Sequence, residues 1–276
     1  MKRKNFYLFA ILTLAFAISF TSCKKDEKAQ TDTSSTLKEA LAESIFDNVS
    51  NISDEAYSFK SNSFKSTTWR RMYLSDCATV SLDTNAFPRT FTIDFGTENC
   101  LCNDGRYRRG KILVTFTGRY FQEGTVITHE FEDYYVNDNK IEGTKVVTNM
   151  GENADGFVYF DIQVVGVVYL ALDGGTVSWN SSRTRVWVEG SDTFTRWDDV
   201  YEISGMADGI RVDGTTWERE IIIPLRKELG CRHFVSGSIE IRPEGESIRL
   251  LDYGDGECDN IATLTIDGVV YTIFLH

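Results

Sequence analysis

The chain is predicted to be an all-β protein, an antiparallel β meander or sandwich, preceded by a signal peptide, a flexible tether and one short helix. Three observations lead there. From Tyr73 onward apolar residues recur at every second position, and the helical period does not return. Short Gly-, Asp- and Asn-rich turns separate these alternating runs. One plan also occurs twice: Cys77 leads to Asp94-Phe95-Gly96-Thr97-Glu98-Asn99-Cys100, and Cys231 leads to Asp252-Tyr253-Gly254-Asp255-Gly256-Glu257-Cys258, each followed by an alternating apolar segment. The two Cys-bounded units, 77–120 and 231–276, bracket a larger sheet within one β domain over 72–276.

The first 22 residues read as a targeting segment. Lys2-Arg3-Lys4 opens it, and the apolar run from Phe6 to Phe20 is too short and wrongly flanked to span a bilayer. It ends at Phe20-Thr21-Ser22-Cys23, which is similar to a bacterial lipobox, so Cys23 is the expected site of lipidation and the new N-terminus. Several acyl chains on one residue are what stable anchoring needs. Lys25, Asp26 and Glu27 follow it closely, and the pattern resembles the signal that sends lipoproteins of the Bacteroidota to the outer face of the outer membrane. Removing the leader takes three bases and no acid, leaving the mature chain more acidic than the −12 of the whole. A phosphate backbone needs a basic face, so nucleic acid is not an expected partner.

Residues 23–35 are polar apart from Ala29 and read as an acylated tether. In 36–71, Leu37, Leu41, Ile45 and Val49 recur every fourth position behind Ser35 or Thr36 as N-cap, which predicts one amphipathic helix. The Ser- and Lys-rich stretch from Asn51 to Arg71 reads as irregular connection.

The strands follow. Ile112, Val114, Phe116, Gly118 and Tyr120 form one face of a strand, with Lys111, Thr115 and Arg119 on the other. Runs over 125–136 and 140–149 flank a turn at Asn137-Asp138-Asn139. The longest, 157–172, places Val158, Phe160, Ile162, Val164, Val168, Leu170 and Leu172 on one face, and its length suggests either one long curved strand or two joined by a kink at Gly166. Asp173-Gly174-Gly175 turns the chain into 176–189, and Asp213-Gly214 and Asp267-Gly268 mark later hairpins.

Five cysteines remain beside Cys23. An envelope location permits disulfides, and the repeated spacing points to Cys77 with Cys100 and Cys231 with Cys258, each bridge worth roughly 3 kcal/mol by loop closure. Cys102 is the alternative partner for Cys77, since Cys-x-Cys puts both side chains on one strand face. A zinc site would lack the paired Cys-x-x-Cys spacing of zinc ribbons.

Tyr201-x-Ile203-Ser204-Gly205, Pro224-Leu225, Cys231, Gly237-Ser238-Ile239, Leu251 through Gly256 and Cys258-Asp259-Asn260 together resemble the C-terminal pattern of uncharacterised outer-membrane and surface lipoproteins of the Bacteroidota. Asp94-Phe95-Gly96, Asp104-Gly105-Arg106, Gly110-Lys111-Ile112 and Glu142-Gly143-Thr144 extend the resemblance over about 70–276. It implies a secreted all-β fold and no particular activity. Leu101-Cys102-Asn103 departs from the family pattern.

No catalytic motif stands out. The histidines are His129, His233 and His276, and His129 sits in strand phase with Ile127 and Phe131. Glu130 with Glu132, or Asp198 with Asp199, could serve a glycosidase only if opposed across a cleft. Asp252, Asp255, Glu257 and Asp259 fit no EF-hand spacing; Asp capping a turn amide is the simpler reading. No cofactor or metal is expected. Trp179 and Trp187 share a strand face with Arg183 and Arg185 between them; exposed they would form a platform for a glycan or a protein, and buried, the commoner fate of large aromatics, they are core ends. The sequence therefore predicts a lipid-anchored cell-envelope β-protein, facing the cell exterior, with a binding or structural role. A carboxylate-dependent hydrolase and a lipid-binding carrier are the alternatives.

Overall fold

The computed structural model describes residues 23–61, 73–83, 87–193, 195 and 197–275. The leader over 1–22 lies outside them, as do the side chains of Cys23, Lys25, Asp26 and Glu27, whose backbone is described.

Helix α1 runs from Cys23 to Ser61. It is longer than expected at both ends: the residues read as tether are helical, and so is the start of the supposed irregular connection. Lys, Glu, Ala and Gln before residue 31 are good helix formers. Beyond Val49 the apolar spacing continues through Ile52 and Ala56, both fully buried. The polar residues that disguised this second half are buried too, among them Ser50, Asn51 and Ser53. A helix buried on its polar as well as its apolar side must be enclosed rather than laid on a surface.

Among the described residues fourteen strands enclose it: β1 (Thr79–Asp83), β2 (Arg89–Asp94), β3 (Cys100–Leu101), β4 (Tyr107–Phe116), β5 (Val126–Val136), β6 (Asn139–Glu152), β7 (Val158–Tyr169), β8 (Thr176–Glu189), β9 (Val200–Ile210), β10 (Thr216–Glu228), β11 (Ser236–Pro243), β12 (Arg249–Asp255), β13 (Ile261–Ile266) and β14 (Val269–Phe274). They form a single sheet in the order β1-β2-β4-β5 and so on to β14, with β3 pairing β4 off this path. Every pairing is antiparallel, which is what short turns between consecutive strands produce. The all-β meander is therefore observed as one sheet rather than two stacked ones.

The sheet curls around α1. Tyr57 packs on Phe91 of β2 and Phe116 of β4, Ser53 meets His129 of β5, Glu43 meets Arg183 of β8 and Arg219 of β10, and Thr36 meets Arg249 of β12. One helix thus touches strands from both halves of the sheet. The core forms two clusters: one spans α1 and the sheet as far as Trp217, and the other lies among β10 to β14 with Leu37 at its border.

Of the two readings of 157–172, the single long strand is the one observed: β7 passes through Gly166 in register with Gly143 of β6 and Trp179 of β8, and a Cβ at Gly166 would lie 2.3 Å from Cζ of Phe46. The missing side chain is the seat for the helix's phenylalanine. Leu172, expected on the buried face, is fully exposed in a left-handed turn (φ 57°) beyond the end of β7. Gly118 and Tyr120 likewise follow the end of β4 rather than extending it.

Candidate functional site

The inner face of the sheet carries cations where an ordinary core carries only apolar groups. Arg183, Arg219, Arg249 and Lys145 are buried there, and Arg211 is buried just past the end of β9. Helix α1 answers with acids. Glu43 accepts from Arg183 at 3.0 Å and from Arg219 at 3.0 Å, and Glu39 accepts from Arg211 at 2.7 Å. The Lys145 ammonium donates to the carbonyl of Phe46 at 2.8 Å, and burial pushes its pKa down to about 8. Such pairs add little net stability over apolar residues, but removing one partner leaves a charge stranded in low dielectric.

Of the two readings of Trp179 and Trp187, an exposed platform or core ends, the structure shows the second, and the binding role falls away. Both are buried, at 2% and 6%. Trp179 packs on Trp217 with centroids 5.0 Å apart, and Trp187 stacks on Phe121 at 5.5 Å and touches Tyr201 at 5.4 Å. Arg183 and Arg185 between them lie on the same inner face; Glu43, 140 residues away in sequence, makes that possible for Arg183, and Arg185 donates to the hydroxyl of Tyr120 at 2.9 Å above the Phe160 and Tyr201 rings. The curved sheet does offer a trough, but α1 fills it.

His129 is an interior strand histidine. Its Nε2 lies 2.9 Å from the Ser53 hydroxyl and its Nδ1 3.3 Å from the Lys145 carbonyl. Burial, with Lys145 adding to it, pushes its pKa down to about 3. Of the paired carboxylates, Glu132 is engaged by Lys111 at 2.6 Å on the outer surface, Glu130 is exposed, and Asp199 is buried while Asp198 accepts from Thr193 at 3.0 Å. Neither pair forms the opposed arrangement that glycoside cleavage requires. Among the described residues no group of three His, Cys, Asp or Glu gathers as a metal site.

The repeated Cys-bounded corners are real structures. Bridges join Cys77 to Cys100 and Cys231 to Cys258, and Cys102 is a buried free thiol whose pKa burial raises. Asp94 Oδ1 accepts from the Gly96 amide at 2.8 Å, and Asp252 Oδ1 accepts from the Gly254 amide at 2.8 Å. The turn is the same in both, and the aspartates are caps rather than calcium ligands. The aromatic between them, Phe95 or Tyr253, points into the core.

The two corners face a common cleft. Its outer compartment, about 590 Å³, is lined by Gly105 and Arg106 from the first corner, by Arg232, Cys258 and Asn260 from the second, and by Leu41 of α1. An inner compartment of about 270 Å³ runs along α1 between Leu37, Leu41, Phe234, Tyr253 and Leu275. Leu41, Arg232, His233 and Leu275 line both, so the compartments adjoin. A half-open, mixed cleft of this size lies in the range of small-molecule sites.

Lys227 builds the cleft's second wall. Its ammonium donates to the carbonyls of Cys231, Arg232 and His233 at 2.6, 2.7 and 3.3 Å, which folds the β10–β11 connection over it. Burial lowers its pKa to about 8, against the opposing pull of Asp47. Arg106 donates to the Ser44 hydroxyl of α1 at 2.8 Å, and burial brings it down to about 10. Sequence reasoning missed this site because its walls come from residues near 41, 106, 232 and 275; the repeated Cys plan marked the corners but not that they meet.

Fold and cleft together define a helix-centred antiparallel meander with a ligand-sized opening between two disulfide-held corners. Protein-family models, curated proteins and solved structures contain no match to this chain.

Proposed function

We propose that this chain is a lipid-anchored cell-envelope protein, facing the cell exterior, whose β fold serves a binding role through the cleft between its two Cys-bounded corners. The observation that carries this reading is the cleft itself, a concave site whose flanking corners are each held by a disulfide. Bridges of this kind persist in oxidising compartments, and the leader ending at Cys23 agrees with that address. The acidic net charge of −12 suits a solvated surface. Cys23 is also the first residue of α1, so an acyl anchor would join the element that the sheet encloses.

The anchor is tested by metabolic labelling with an alkynyl fatty acid. Wild-type chain is expected to take up label and Cys23→Ala to lose it; label retained in the variant contradicts acylation at this residue. Protease shaving of intact cells tests the orientation. Digestion of the wild type, with protection when Lys25, Asp26 and Glu27 are all replaced by alanine, is the expected pair of results. Protection of the wild type contradicts a surface location.

A further inference from the structure

The cleft differs chemically from one end to the other. Its inner compartment presents Leu37, Leu41, Phe234 and Tyr253 along the helix, whereas the outer one presents Arg106, Arg232, His233 and asparagines. The Arg232 guanidinium, at the boundary of the two, has no hydrogen-bond or carboxylate partner among the described residues, whereas Arg183, Arg211 and Arg219 are each held by an acid of α1. Arg106 stands in the same wall: burial lowers its pKa most, Asp104 opposes that, and the positive charges of Arg108 and then Arg232 lower it further. Two like charges facing one opening favour an anion there.

The acids that also border the cleft do not cancel this. Glu43 is taken by Arg183 and Arg219. Asp47 makes no hydrogen bond or ion pair among the described residues, and burial raises its pKa, which moves it toward the neutral form that an apolar chain tolerates. Asp259 on the rim accepts from the Ile261 amide at 2.9 Å, and this one carboxylate against Arg106 and Arg232 leaves the opening net positive.

We propose that the cleft binds a small amphiphile with an anionic head, its apolar chain lying in the inner compartment against Leu37, Leu41, Phe234 and Tyr253 and its head held by Arg232 beside Arg106. The proposal rests on the cleft being the binding site, and not on the lipid anchor. The head could be a carboxylate, as in a free fatty acid, or a phosphate, as in a lipid; both present oxygens to the same guanidinium.

The test uses the full chain with Cys23→Ala, so that no acyl chain of its own competes. Decanoate, decyl phosphate and decyl glucoside, each below its micelle-forming concentration, are titrated calorimetrically. At least one anionic probe is expected to bind more tightly than the glucoside, and which one identifies the head. Arg232→Ala, at an exposed and unpaired position, is expected to weaken that probe about tenfold and to leave the glucoside unchanged, while Arg232→Lys recovers part of the loss. Equal binding of all three probes, or an anionic probe indifferent to Arg232→Ala, overturns the proposal. Binding of the glucoside alone overturns it while keeping the cleft as a site, and binding of none, with the circular-dichroism spectrum intact, removes both the amphiphile and the cleft, leaving the anchor to its own labelling test.

Discussion

The two Cys-bounded corners begin alike and end differently. Each makes the same Asp-to-Gly turn, buries the aromatic between them and closes with a disulfide. After Cys100, however, the first corner continues into a seal: Asp104 takes Arg108 in a bidentate pair at 2.7 and 2.6 Å, and Asn103 donates to the Leu74 carbonyl. Phe95 is packed against Tyr134 behind it. Among the described residues the second corner has no such plug. Its Tyr253 packs edge-on against Phe234, and the two rings line the inner compartment instead of closing it. A shared turn motif therefore fixes local geometry, while the residues just beyond it decide whether the corner becomes wall or opening.

The sharpest way to break this contrast is Asp104→Ala. Arg108 is 1% exposed, and losing its carboxylate strands a buried charge, so the variant should lose about 3–5 kcal/mol in urea denaturation. A loss under about 1 kcal/mol would mean that the pair is not the seal described. Next come the bridges. Replacing both cysteines of either pair by serine should cost about 3 kcal/mol. Their spacings, 23 and 27 residues, differ so little that loop closure separates them by only about 0.1 kcal/mol. Any larger difference between the two double variants reports packing at the corners, with the sealed one expected to suffer more.

A control away from both corners is the pH dependence set by His129. Its folded pKa is depressed from 6.5 to about 3, so the unfolded chain binds the extra proton first. The neutral imidazole's contribution is complete above about pH 6.5 and is lost as pH falls toward 3, reaching about 2 kcal/mol by pH 5. His129→Gln should flatten that part of the stability profile, and an unchanged slope would contradict a buried neutral histidine. Smaller still are the turn caps: Asp94→Ala and Asp252→Ala should each cost about 1 kcal/mol. Asp252 should cost the more, because its other oxygen accepts from the Ser238 hydroxyl at 2.7 Å. Arg232→Ala should change stability by no more than about 0.5 kcal/mol, in keeping with a side chain that waits for a ligand rather than supporting the fold.

How far the sequence can be read follows from where each contact lies along the chain. Alternation at Ile112, Val114 and Phe116 reports the sheet because a strand's faces are encoded locally, and the repeated Cys spacing points to the right bridges for the same reason. The second half of α1 is hidden because Ser53 and Glu55 look like solvent-facing residues, yet the first meets His129 and the second accepts from the Tyr73 and Leu74 amides. Trp179 and Trp187 could be read either way, as platform or core ends, because nothing nearby announces that Glu43 pairs with Arg183 across 140 residues. The cleft is the extreme case, since Leu41, Arg106 and Arg232 meet only after the sheet has curled.

All of this depends on α1 lying inside the sheet, as floor of the cleft and partner of the buried arginines. Native-state hydrogen exchange reads that directly. Amides from Ala42 to Ala56 are expected to exchange in the slowest class, together with β7 and β8, through global unfolding alone; exchange of this segment through local opening, well ahead of those strands, would contradict an enclosed helix.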